Sequence, residues 1–225
     1  MDNYYTPPAQ SSFKLLDLEF PVLRDFLDVM PLKQLSSLHW SSEIIKSKSS
    51  FRGEIVYTLR VKTDEVNLYC YTKYSEILNC TSCISPCITL AVYMGPDISH
   101  EALLSKMEPQ CYRVIDLDGH YHWNDVIGFL YTGIKWVRLV GNLNLPPVDM
   151  EEFFKILLSF KIHRIFFSHK GCSRPWSDVA FQAWSSVIGT DLEPMNYEFN
   201  HGAHVMKVPN GDTTMEVHIR FRVSN

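Results

Sequence analysis

Apolar residues recur every three or four positions in the first part of the chain and every second position after it. Leu15, Leu18, Val22, Leu23, Phe26, Leu27 and Met30 fall at helical spacing, and Pro31 breaks the run. Leu35 and Leu38 follow three apart among Ser36, Ser37, Ser41 and Ser42, and Ile44 and Ile45 close the segment. Residues 13–47 therefore predict two or three short helices. Ahead of them, the polar stretch 1–12 carries Pro7-Pro8 and predicts a loose tail. The charged, small-residue run Lys46-Ser47-Lys48-Ser49-Ser50 predicts a boundary between a helical module over 13–48 and a second domain over 51–225.

Beyond the boundary, Ile55, Tyr57, Leu59 and Val61 alternate with polar or smaller neighbours. Thr63-Asp64-Glu65 predicts a turn, and Val66, Leu68, Cys70 and Thr72 continue the alternation, which together predict a hairpin. Ile88–Tyr93 and Tyr112–Ile115 predict further strands. Ser99–Met107 predicts a short helix capped by Ser99, and Trp123–Leu130 a helix or apolar loop. Trp136–Val140, the helix Met150–Phe160 and Ile162–Phe167 form one strand–helix–strand step. Its strands begin at Trp136 and Ile162, a distance within the period of a leucine-rich solenoid. Pro175-Trp176-Ser177-Asp178 leads into a helix over 179–187. Ala203–Val208 and Met215–Phe221, with Asn210-Gly211 between, predict a terminal hairpin. The expected fold class is α+β: a small helical module, then a mixed α/β domain with leucine-rich-repeat-like units.

Apolar residues are 46% of the chain, enough for a buried core and too many for a disordered one. Lys and Arg number 21 against 25 Asp and Glu, a net charge of −4, which gives no basic footprint for nucleic acid. The opening Met1-Asp2-Asn3 is unlike a secretory signal, and no run reaches the length of a membrane helix. A cytoplasmic or nuclear location and reduced cysteines are the expectation.

Cys80-x2-Cys83-x3-Cys87, with Cys70 upstream, has the look of a zinc or redox site. A structural zinc site draws on two ligand pairs, and no second CxxC exists; Cys111 and Cys172 stand alone. Buried or loop thiols are the simpler reading. Asp116, Asp118, His120 and His122 are the other temptation, since alternate strand residues share a face. No GxSxG, HExxH or phosphate-loop motif accompanies them. No catalytic residue, cofactor or metal is expected. His218, Arg220 and Arg222 alternate on the last strand and read as a solvated sheet face.

The segment from Phe13 to Lys46 resembles an F-box, and more narrowly the divergent F-box of the large nematode families of F-box-associated proteins. Phe13, Leu15, Leu16 and Leu18 keep the order of an F-x-L-L-x-L-P opening. Glu19 stands where that Pro usually falls, and a Pro follows at 21. Leu27, Met30, Leu35, Leu38, Ser42 and Lys46 continue without a gap. Asp178–Trp184 is similar to the family's Trp-ended helix, and Ala203–Met215 to its terminal strand–turn–strand. The chain is short for the family between Trp184 and His204.

The resemblance implies a non-catalytic, substrate-recruiting subunit of a cullin–RING ubiquitin ligase. Its N-terminal helices would bind an SKP-type adaptor, and through it a cullin, while the second domain holds an unidentified protein substrate. The implied adaptor interface is Leu18, Pro21, Val22, Leu23, Phe26, Leu27, Met30, Leu35 and Leu38, led by Pro21 and Leu23. A curved repeat surface would offer a concave face, with Trp136, Trp176 and Trp184 as candidates. A stand-alone interaction protein, and a zinc or thiol enzyme built on Cys80, Cys83 and Cys87, are the alternatives.

Overall fold

The computed structural model describes residues 14–107, 110–189, 203–210 and 213–220. The chain forms two compact units, Met1–Arg52 and Gly53–Asn225. It is a mixed α+β protein in which a helical stretch precedes an eight-stranded, mostly parallel sheet. The expected tail over 1–12 lies outside the described residues.

Among its described residues the first unit holds three α-helices, α1 (Phe20–Val29), α2 (Leu32–Ser41) and α3 (Glu43–Lys48). Pro21 sits in the first turn of α1, where its missing N–H costs nothing. Pro31 separates α1 from α2, and its carbonyl accepts from the Gln34 and Leu35 amides. Ser42 caps α3 by accepting from the Ile45 amide. Leu23, Leu27, Met30, Leu32, Leu35 and Ile45 make the buried core. Arg52 ties the end of α1 down by donating to the carbonyls of Leu27 at 2.8 Å and Met30 at 3.2 Å. A cation over the otherwise unsatisfied carbonyls of a helix C-terminus is favourable.

The second unit is one sheet in the order β2-β1-β3-β4-β5-β6-β8-β7. Its strands are β1 (Glu54–Lys62), β2 (Thr72–Lys73), β3 (Ile84–Met94), β4 (Val114–His122), β5 (Trp136–Asn144), β6 (Arg164–His169), β7 (Ala203–Asn210) and β8 (Thr213–Arg220). Every neighbouring pair is parallel except β7 with β8. The expected hairpin after Val61 is therefore corrected. Residues 63–71 form a connection, and β2 returns parallel to β1 through Val61 with Thr72. The alternation from Val66 to Thr72 carried no pairing information, because its partners are not the adjacent segment. The terminal hairpin pairs as expected, from Ala203 with Arg220 to Asn210 with Thr213.

Helices α4 (Tyr74–Asn79), α5 (His100–Leu104), α6 (Trp123–Gly128) and α7 (Met150–Ser159) connect successive parallel strands, and α8 (Arg174–Ile188) follows β6. Each packs against the next. Two rows of strand residues face them: Leu59, Leu90, Ile115, Val137, Ile165 and Val217, then Val61, Val92, Leu117, Leu139, Phe167 and Ile219. Parallel strands joined by crossover helices bury such a face completely. Register partners Leu90, Ile115, Val137 and Ile165 are 25, 22 and 28 residues apart. Gly119 and Gly141 lie side by side at φ of +88° and +83°, and a Cβ on either would strike backbone of the neighbouring strand. The register stays in phase across these glycines, and Tyr121 and Leu143 beyond them are buried in the core.

Candidate functional site

Two surfaces stand out, one on each unit. On α1 the apolar residues form two stripes. Leu23 and Leu27 face inward, Leu27 at 0% exposure, and Met30 continues that buried line. Val22, Phe26 and Val29 run along the adjoining side at i, i+4 and i+7, with exposures of 53%, 40% and 78%. Trp40 and Ile44 are also exposed large side chains of this unit. Other exposed aromatics carry a cation: Lys48 lies 4.4 Å from the Phe20 ring centre and Arg24 5.3 Å from that of Phe51.

The nine residues assigned to an adaptor interface thus separate. Leu23, Leu27, Met30 and Leu35 are buried. Pro21, Val22 and Phe26 are exposed, and Leu18 and Leu38 are half-buried. The earlier set held both stripes because helical spacing marks apolar positions without saying which way they face.

The second surface is the side of the sheet turned away from α4 to α8. One row across it reads Thr58, Thr89, Val114, Trp136, Arg164, Glu216 and Lys207. The next reads Arg60, Ala91, Asp116, Arg138, Phe166, His218 and Val205. Opposite charges meet across neighbouring strands. Arg138 donates to both oxygens of Asp116 at 2.8 and 2.6 Å. Arg164 donates to Glu216 Oε2 through Nε at 3.1 Å and Nη2 at 2.6 Å, and its guanidinium lies 5.6 Å from the Trp136 ring centre.

The two carboxylates respond differently. Burial raises the Asp116 carboxyl above its usual range, outweighing the Arg138 contact. The Arg164 hydrogen bonds hold Glu216 below the usual range, with burial opposing them and His218 adding a smaller pull. Tyr71, from the link between β1 and β2, is pushed up by burial and then by Asp116.

His120 and His122 share this face without forming a metal pair. Asn142 Nδ2 lies 3.0 Å from His120 Nδ1. His122 caps α6 instead, accepting from the Asn124 amide at 3.3 Å while its own amide donates to Asp125 at 2.8 Å. Among the described residues, no group of three or more His, Cys, Asp or Glu is placed to hold a metal. Cys80 Sγ donates to the Glu76 carbonyl, and buried Cys87 lies 4.0 Å from Cys111, so the Cys80, Cys83 and Cys87 run does not gather at one point.

Of the three tryptophans proposed for a concave face, only Trp136 lies on the open side, at 42% exposure. Trp184 is fully buried and stacks on Phe154 at 3.9 Å, and Trp176 packs against Phe167 and His169 on the helix side. Trp184 is therefore core, as large aromatics usually are, and Trp176 is half-buried against it. Sequence reading missed Arg138, Arg164 and Glu216. The alternation Val114, Asp116, Asp118, His120 was the available signal, since its polar phase marks the face away from the helices. Of the terminal basic residues, His218 lies on this face, Arg220 is exposed, and Arg222 is outside the described residues.

These features define a two-part α+β protein with an apolar helical surface and an open, charged sheet face. Comparison with protein-family models, curated proteins and solved structures finds no match to this chain. No described helix is long and apolar enough to cross a membrane.

Proposed function

We propose that this chain is a substrate-recruiting, non-catalytic subunit of a cullin–RING ubiquitin ligase, acting in the cytoplasm or nucleus. Its first unit is read as a divergent F-box that takes an SKP-type adaptor, and its second as a leucine-rich-repeat-like platform for a protein substrate. The observation that carries the reading is the exposed stripe Val22, Phe26 and Val29 on α1. A helix with one apolar line in its own core and a second in water is shaped for a partner. The Phe at the centre of that line, with polar neighbours Arg24 and Asp25 at its edge, suits an interface anchor.

The platform reading draws support from the sheet. Successive strands are neighbours, parallel, and separated by 22 to 28 residues in the central repeats, within the leucine-rich period. Such an arrangement leaves one sheet face for binding.

The test is adaptor affinity of a Val22→Asp/Phe26→Asp variant. Both residues are exposed, so circular dichroism should be unchanged while adaptor binding falls at least about tenfold, the scale of losing an apolar anchor. Undiminished binding by a folded variant would refute the proposed interface. Changing Leu23 and Leu27 would be uninformative, because both are core.

A further inference from the structure

Within the open sheet face, one groove has a distinct chemistry. It has a volume of about 600 Å³ and is lined by Lys135, Trp136, His163, Arg164, Lys207 and Glu216, with Thr214 at its side. Four of these form a single cross-strand row, Trp136, Arg164, Glu216 and Lys207, on β5, β6, β8 and β7. Lys135 and His163 precede β5 and β6, and they are joined by a bond from the His163 amide to the Lys135 carbonyl at 3.0 Å. Among the described residues, the lining thus carries three basic side chains and an imidazole against one carboxylate.

That carboxylate belongs to the cationic site. Glu216 takes two of the five guanidinium donors of Arg164, and Trp136 lies against its plane. The arginine is held in place with donors remaining, so a ligand anion need not order it. Trp136 adds an aromatic wall, which a free inorganic anion would not use. A long polyanion is disfavoured by the chain's net charge of −4 and the shortness of the cationic patch.

Resting on the substrate-platform reading above, we propose that this groove docks an acidic peptide segment of the protein substrate. Its Asp or Glu carboxylates would meet Arg164 and Lys135, and an adjacent apolar or aromatic side chain would lie on Trp136. The occupant is argued from charge complementarity: a net positive groove in a net negative protein attracts an acidic segment and rejects a basic one.

The experiment is fluorescence anisotropy of the full chain with a fluorescein-labelled Glu-rich peptide containing one Tyr. Its Gln-for-Glu counterpart and a labelled oligouridylate are run alongside. The expected result is saturable binding of the Glu peptide alone, weakening as salt is raised. Lys135→Glu and Trp136→Ala should each weaken it at least about fivefold, the effect of one modest contact. Lys155→Glu makes the same charge change on α7, on the helix side, and should leave it unaltered. The proposal is overturned by absence of binding, by equal binding of the Gln peptide, by equal loss in Lys155→Glu, or by oligouridylate binding in place of the peptide. Circular dichroism of each variant separates lost binding from lost fold, and Lys135→Glu carries the test should Trp136→Ala misfold. Adaptor binding is measured on the same samples: its loss with peptide binding retained would sink the ligase reading alone.

Discussion

His39 is buried in α2, and its Nε2 meets no hydrogen-bond partner among the described residues. Burial lowers its pKa from 6.5; a backbone bond at Lys46 and the Glu43 charge raise it, and the Lys46 charge lowers it further. A histidine kept neutral in the fold binds fewer protons than its unfolded counterpart. Its contribution is therefore present above 6.5 and declines as pH falls below that value. Thermal unfolding followed from about pH 7 to about pH 5 should show a loss of stability that His39→Gln reduces. An unaltered pH profile in that variant would contradict the burial argument. Glu216 has the same sign, in the carboxylate range. Its pKa is lowered by Arg164, so its contribution is present above its unfolded pKa and lost as pH falls through the folded one. Carboxylate titration by NMR should place Glu216 below an ordinary glutamate, and Arg164→Gln should move it upward. None of these residues was singled out by sequence. The Arg164–Glu216 pair joins positions 52 apart, and only the sheet register brings them together.

Among the elements, the helices were the more legible part. Spacing in α1, the break at Pro31 and the apolar set of α7 are local properties, and the structure keeps them. Helix α8 begins earlier than the sequence indicated, at Arg174, because Ser173 accepts from the Trp176 amide and Pro175 fits the first turn. The strand–helix–strand step over 136–167 is in place, with β5 parallel to β6; β4 was found only at its start, and the remaining parallel pairs were not found, because each partner lies a whole helix away. The segment after Val61 shows the cost of judging by alternation alone. At this scale the neighbouring glycines of β4 and β5 are the sharpest target. Gly119 has a backbone that L residues rarely adopt, and a Cβ there would strike the Met94 backbone. Gly119→Ala should cost about 2–4 kcal/mol in chemical denaturation, combining strained φ with a clash. Gly189 also has positive φ but open space around it, so Gly189→Ala should cost about 1 kcal/mol. Equal costs would mean the strand contact adds nothing.

At the scale of the whole molecule, the proposed function gives the two units two tasks: an apolar helical surface for an adaptor and a charged sheet face for a substrate. The division at residue 52 and the class of both units follow from changes in hydrophobic period that are visible along the chain. The partner surfaces were legible only in part. Periodicity gathers apolar residues without separating the buried line of α1 from the exposed one, and the open sheet face draws its charges from six or more strands. The most direct measurement is co-expression of the full chain with an SKP-type adaptor, followed by size exclusion with light scattering, for the native sequence and for Val22→Asp/Phe26→Asp/Val29→Asp. The expected result is a stable one-to-one complex for the native chain and separate species for the triple variant. A native chain that ignores the adaptor, or a triple variant that still binds it, would contradict the account.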